Sequence, residues 1–315
     1  MLTFAFRKVA QTLVVLFIVS VACFSLLKQA PGDPVEMSLG SDYSPEAHAA
    51  LVQQLGLDRP LYEQYLRWAG DFVTGDWGNS FVGRAPIFGM VVLEALPVTL
   101  LLASCSLFLA LALGVPLGVL AAVRRGSIWD SLSAVYVLTN TSFPSFYLGI
   151  LLIWGFGVHF QIFPVMGYVS PLQDPLGALW HMALPAITLS AYFVAMIMRV
   201  TRAGMVEAMS QPYVAAARAR GEPARRVVWV HAMRNVLLPL ATVVGLQIGQ
   251  LIQGAVLTET VFSLPGMGQL ITRAVLSREY GVVQAGVMTA ALIFVVVNLV
   301  IDLLYPLIDP RLRSR

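Results

Sequence analysis

The side chains that could act chemically are few in this chain of 315 residues, and their spacing argues against most kinds of catalysis. Lys8 and Lys28 are the only lysines. Neither closes a Gly-x-x-x-x-Gly-Lys-Ser/Thr loop, whose backbone N–H groups would cradle nucleotide phosphates, so any ATP is expected to be bound elsewhere. His48, His159, His181 and His231 stand apart, with no His-Glu-x-x-His pattern and no second ligand at useful spacing, so no metal site is expected. No Gly-x-Ser-x-Gly elbow occurs. Cys23 and Cys105 lie inside apolar blocks and read as small packing residues, and Ser20 stands where a lipoprotein cleavage site would need a bulky aliphatic residue. The chain is therefore expected to have no catalytic residue, no metal and no cofactor of its own. Two acids remain as candidates for work inside the membrane. Glu259, at the outer end of an apolar block, reads either as a pathway or gate residue or as a solvated boundary side chain. Asp302 lies within the last block, where an ionised carboxylate must face the bundle interior or find a cation such as Arg199 or Arg311; it reads as a clamp or as a moving gate element.

These residues sit in a chain built for lipid. It is 58% hydrophobic and only 12% charged, with a mean hydropathy of +0.77, against about 25% charged in soluble chains. The apolar residues fall in blocks near 8–28, 98–122, 136–158, 180–200, 236–258 and 283–307, each close to the length of a bilayer-spanning helix. An all-α polytopic membrane protein with six transmembrane helices is the expected fold class. With the N-terminus inside, Arg7, Lys8, Arg124, Arg125, Arg199, Arg202, the arginines of 218–234 and those of 311–315 all fall on the cytoplasmic side. Lys28, Arg59, Arg67, Arg84, Arg273 and Arg278 fall outside, and this bias places both termini in the cytoplasm. The net charge of +3, spread between apolar blocks, gives no nucleic-acid footprint. Pro144 is expected to kink the third span and Pro185 to lie near the start of the fourth. The acidic segment from 29 to 96, with helical stretches at 45–55 and 60–73, is too long for a bare loop and reads as a structured extracytoplasmic cap.

The fourth loop carries the most specific signal. Gln211 to Pro239 reads QPYVAAARARGEPARRVVWVHAMRNVLLP, in which Pro212 and Gly221 bracket a short helix in the proline-first, glycine-last order. A helix of two or three turns is unstable alone in water, so it must dock on something. Ala215, Ala216, Ala217 and Ala219 keep one side small enough for a partner's groove to approach the backbone, and Arg218 and Arg220 can reach acidic groups at its rim. The same charges would equally suit an ordinary basic loop held inside by its arginines.

Ala216, Ala217 and Gly221, followed by Leu237-Leu238-Pro239, resemble the EAA loop by which the permeases of ATP-binding-cassette importers engage their ATPases. Ala215 stands where the general pattern has glutamate, and the glycine-to-proline interval is long; both departures resemble the peptide/nickel branch of that family. So do Pro31-Gly32-Asp33-Pro34, LGLDRPLYEQYLRW at 55–68, GDWGNSF at 75–81, PSFYLGILL at 144–152, ETVFSLPGMG at 259–268, Asp302-Leu303-Leu304-Tyr305 and Asp309-Pro310-Arg311. The resemblance covers nearly the whole chain and is to the B-type subunit of dipeptide, oligopeptide, nickel, glutathione and opine systems. It implies a type I importer permease fold in a bacterial inner membrane, with residues 1–28 as N-terminus and first helix and 29–96 as cap. A transmembrane module at 94–307 would contain a coupling loop at 201–235, ahead of a tail at 308–315. Tyr213, Ala215, Ala216, Ala217, Arg218, Arg220 and Gly221 would form the ATPase-docking helix. Implied partners are a homologous second permease in a heterodimer, two ATPase subunits that bind ATP and Mg, and an extracytoplasmic solute-binding protein. The cargo would be a di- or oligopeptide, or alternatively a nickel or metallophore chelate. An ion-coupled secondary transporter is the competing class, and it would be expected to show internal repeats and paired midplane acids; no repeat relates residues 1–160 to 161–315.

Overall fold

The computed structural model describes residues 2–28, 44–81 and 84–308, together with positions 35 and 39. Among them the only extended pairing is a single antiparallel bridge between Asn79 and Pro86; the rest of the regular structure is helical. The helices are α1 (Leu2–Lys28), α2 (Pro45–Leu55), α3 (Leu61–Thr74), α4 (Gly89–Val123), α5 (Ile128–Ser142), α6 (Ser145–His159), α7 (Pro175–Met209), α8 (Pro212–Ala219), α9 (Ala224–Val261), α10 (Met267–Leu276) and α11 (Tyr280–Ile308). Helices α1, α4, α7, α9 and α11 are long and apolar enough to cross a membrane, and α5 with α6 adds a sixth crossing if that bent pair is one span.

Local chemistry sets the helix ends. Ser44 Oγ accepts the Ala47 N–H at 3.0 Å with Pro45 at the first helical position, and Gly56 closes α2 at φ +67°. Asp174 caps α7 by accepting the Gly177 N–H, again with a proline at the first position. Both helices expected in the cap segment are present, as α2 and α3. The five long helices overshoot their apolar blocks, because hydropathy marks only the hydrocarbon-length part while caps and propensity carry the helix into the polar margin.

Two expectations change. The third apolar block is not one kinked helix: α5 and α6 meet at 104°, with Phe143 and Pro144 both extended. Proline lacks the N–H that would continue the ladder, and it drives the residue before it out of the helical region. Pro185 does not lie at a helix start; α7 begins ten residues earlier, at the stronger Asp174–Pro175 cap, and Pro185 is buried in its interior.

The chain divides into two compact units, residues 1–98 with 265–299 and residues 99–264 with 300–315. In the first, Tyr65 of α3 meets Phe17 and Phe24 of α1 edge-on, and its hydroxyl lies 2.7 Å from Ser20 Oγ. Ile87, Val91, Ala95, Met267, Ala274 and Val282 form its core. A groove of about 580 Å³ in this unit is walled by aromatic and aliphatic side chains, among them Phe17, Trp68, Phe72, Val92 and Leu292. It offers few polar atoms to orient a polar solute. In the second unit α7 is the core element and packs against α5, α6 and α9. Gly114 and Gly118, four apart on α4, let it approach α7 closely: a Cβ at Gly118 would lie 2.7 Å from the Met198 carbonyl oxygen, and one at Gly114 2.8 Å from Ile197.

Candidate docking site

Helix α8 is a two-turn helix with one face turned inward. Val214 and Ala217 are fully buried and pack with Val227 and Met209, while Ala215, Ala216, Arg218, Ala219 and Arg220 are exposed. Of the seven residues expected to form a docking surface, Ala217 therefore belongs to the inner face and the others are open to a partner. Tyr213 is exposed, and its hydroxyl accepts a hydrogen bond from the exposed Asn235 side-chain amide of α9. Behind α8 the first turns of α9 are π-helical from Val227 to Ala232.

Gly221 ends the helix as its expected role requires. It sits at φ +77°, its N–H bonds to the Arg218 carbonyl at 2.9 Å, and the Glu222 N–H reaches the Ala217 carbonyl at 3.3 Å. This is a Schellman closure, and the left-handed residue within it is disfavoured for any side chain with a Cβ. A Cβ at Gly221 would meet nothing within 4 Å, so the demand for glycine comes from backbone conformation alone.

Sequence reasoning passed over Glu222, which turns out to organise the end of the loop. Its carboxylate accepts from His231 Nε2 at 2.6 Å and from Arg220 at 3.2 Å, with Arg226 at 3.6 Å. The His231 hydrogen bond, followed by that of Arg220, holds the Glu222 carboxyl below the usual carboxylate range. The carboxylate thus stays ionised through neutral pH, and the contribution of these bonds is lost only as pH falls through that lowered value. The four arginines of 218–226 consequently divide. Arg220 and Arg226 are turned toward Glu222, whereas exposed Arg218, among the described residues, makes a 3.9 Å contact with the Met209 sulfur.

The remaining candidates sit elsewhere. Glu259 is fully buried in the last turn of α9 and accepts from Thr99 Oγ1 of α4 at 2.6 Å, within the second unit. Asp302 lies in α11, but its side chain is outside the described residues, as is Arg311. Another pair was not foreseen: Asp130 of α5 takes both Arg202 Nε and Nη2 of α7 and also accepts the Gly126 N–H at 3.0 Å. Such a fork-to-fork pair fixes geometry as well as adding energy. Arg202 carried a topological signal only, and nothing in the spacing of Asp130 marks it as its partner.

The chain matches two families end to end: Binding-protein-dependent transport system inner membrane component over residues 114–314, and its N-terminal membrane component over residues 1–111. It is 40% identical to the dipeptide transport system permease protein DppB of Escherichia coli K12 and 37% identical to the glutathione transport system permease protein GsiC of the same strain, each over all of both chains. Among solved structures it is similar to a chain of the MetNI methionine ABC transporter in an inward-facing conformation, at 22% identity and a TM-score of 0.49, over 69% of this chain and 92% of that one.

Proposed function

Because this chain belongs to the family of binding-protein-dependent transport system inner membrane components, the permease subunits of ATP-driven importers, we propose that it forms one half of a translocation pathway for di- and tripeptides. Its family works with an ATPase and a binding protein, and ATP hydrolysis is carried out by the separate ATPase subunit. The peptide reading is supported by relatives named for dipeptides and for glutathione, itself a tripeptide. The other half of the pathway is a second, homologous permease, and two ATPase subunits bind ATP and Mg on the cytoplasmic side, where both termini also lie. The positive-inside bias supports that orientation.

The observation that carries the mechanism is α8: too short to stand alone, capped at Gly221, with an outer face of alanines beside Arg218. Small side chains let a groove of the ATPase close on the helix backbone, and Arg218 meets acidic groups at the groove's rim. Arg220 and Arg226 contribute less to that contact because Glu222 already faces them. When the ATPases close on ATP, α8 moves with them and the helices it is joined to open the pathway outward. ATP shifts that equilibrium only through contacts that differ between the two states.

The test is uptake of a labelled dipeptide into proteoliposomes holding this chain with its second permease, ATPases and binding protein. Uptake is expected only with ATP inside the cytoplasmic compartment and with the binding protein present. Uptake by this chain alone, driven by an ion gradient without ATP, would instead make it a secondary carrier.

A further inference from the structure

Three contacts mount α8 on the start of α9. Val214 and Ala217 pack on Val227 beneath the helix, the Asn235 amide donates to the Tyr213 hydroxyl at its N-terminal end, and His231 Nε2 meets the Glu222 carboxylate just past its C-terminal end at 2.6 Å. All three points on the far side, Val227, His231 and Asn235, belong to the first three turns of one helix, spaced four residues apart. Such spacing places them along a single face. On its other side α8 follows α7 through only the turn at Ser210–Gln211.

We propose that Glu222 and His231, with Tyr213 and Asn235, are positioning residues that lock α8 to the base of α9, so that displacement of the docking helix is delivered to the membrane through α9. This rests on the reading of α8 as the ATPase-docking element. The carboxylate accepts only, so His231 Nε2 carries the proton in this contact, whether the ring is neutral or charged. The other charged groups facing Glu222 are Arg220, from the end of α8, and Arg226, from the first turn of α9. They add to the His231 bond in holding the carboxylate ionised, but Arg226 and Arg220 are long, exposed side chains whose ion pairs contribute little. His231 is a short planar group within the π-helical turns, and its bond fixes where the chain after Gly221 can lie. The energy of such a partly exposed tie is small. Its effect is on the direction of motion: without it, α8 can tilt about its buried face when the ATPase pulls, and hydrolysis proceeds without moving α9.

The test uses the full four-component complex and reads three quantities together: ATPase retained through purification, ATP hydrolysed, and dipeptide taken up per ATP. Glu222→Ala and His231→Phe are each expected to keep the ATPase and hydrolyse ATP at the wild-type rate while uptake per ATP falls about fivefold. The Glu222→Ala/His231→Phe double variant is expected to be no worse than the poorer single, because one contact is lost in all three. His231→Gln, which keeps an N–H donor but not the ring, is expected to recover most of the loss; a ring needed only for packing would not be replaced by glutamine. Tyr213→Phe, which removes one hydroxyl, is expected to show a smaller loss of the same kind. Unchanged uptake per ATP in both single variants would overturn the proposal. So would losses that multiply in the double variant, or loss of the ATPase itself, which would place Glu222 and His231 in the docking contact and leave the docking reading intact. Failure of the docking reading is seen separately, as a wild-type complex in which no position of α8 touches the ATPase.

Discussion

Gly118→Leu is expected to remove most of the folded protein from the membrane, with abundance falling several-fold and the remainder melting at lower temperature. A Cβ at this position would stand 2.7 Å from the Met198 carbonyl oxygen and 2.8 Å from Thr201 Cβ, so the obstruction is partly backbone and cannot swing aside. Overpacking a tight contact costs about 1–3 kcal/mol even where side chains give way, and here two helices must separate. A Cβ at the Gly114 position, one turn away, would likewise meet Ile197 at 2.8 Å, so the leucine cannot be absorbed by sliding α4 one turn along α7. The consequence reaches beyond stability, since α7 is the buried core of its unit and leads directly to α8. Gly155→Ala serves as the control, because a Cβ there meets nothing within 4 Å and abundance should not change. Equal abundance of Gly118→Leu and wild type, measured by quantitative immunoblot of membranes, would show that the α4–α7 approach is not required.

Gly221→Val is expected to behave differently, leaving the protein inserted at normal abundance while peptide uptake falls by about tenfold. Nothing surrounds the position, so no clash arises; the strain lies in holding a β-branched residue at φ +77°. A left-handed backbone costs an ordinary residue roughly 1–2 kcal/mol, enough to open the closure in which the Gly221 and Glu222 N–H groups reach the Arg218 and Ala217 carbonyls. With that closure open, the end of α8 frays and Glu222 leaves His231. Asparagine tolerates the left-handed region, so Gly221→Asn should retain most of the uptake. Equal loss in Gly221→Asn and Gly221→Val would point to space, not backbone conformation, as the reason for glycine.

What could be read from the sequence divides along a physical line. Elements fixed by local chemistry were legible: α2 and α3 lie where Ser44-Pro45, Gly56 and Gly75 place them, and α8 runs between Pro212 and Gly221. The membrane class followed from apolar blocks whose length only lipid explains. Features decided between helices were not legible. Pro144 announced a disturbance, but a kink and a 104° turn share the same residue, and the surrounding packing chooses. Asp130 with Arg202 lies 72 residues apart in sequence, and Thr99 with Glu259 lies 160 apart. No periodicity connects such positions. Glu222 is a different case: nothing in the sequence singles it out beside four arginines, and only the return of α9 brings His231 onto it. The same fold-back explains why the arginines of 218–226, equivalent as a charge run, become two that face Glu222 and two that do not.

If the outer face of α8 is the surface on which the ATPase sits, site-directed cross-linking from that face will capture it. Single cysteines would be placed at Ala216 and Ala219 on the exposed face and, as a reference, in the basic turn at Arg124, with Cys23 and Cys105 replaced by serine. A short thiol–amine reagent is expected to join positions 216 and 219 to the ATPase subunit in the assembled complex, with a yield that changes when ATP is added, while position 124 gives little. No adduct from either α8 position, with efficient capture from position 124, would move the docking surface to the α4–α5 turn.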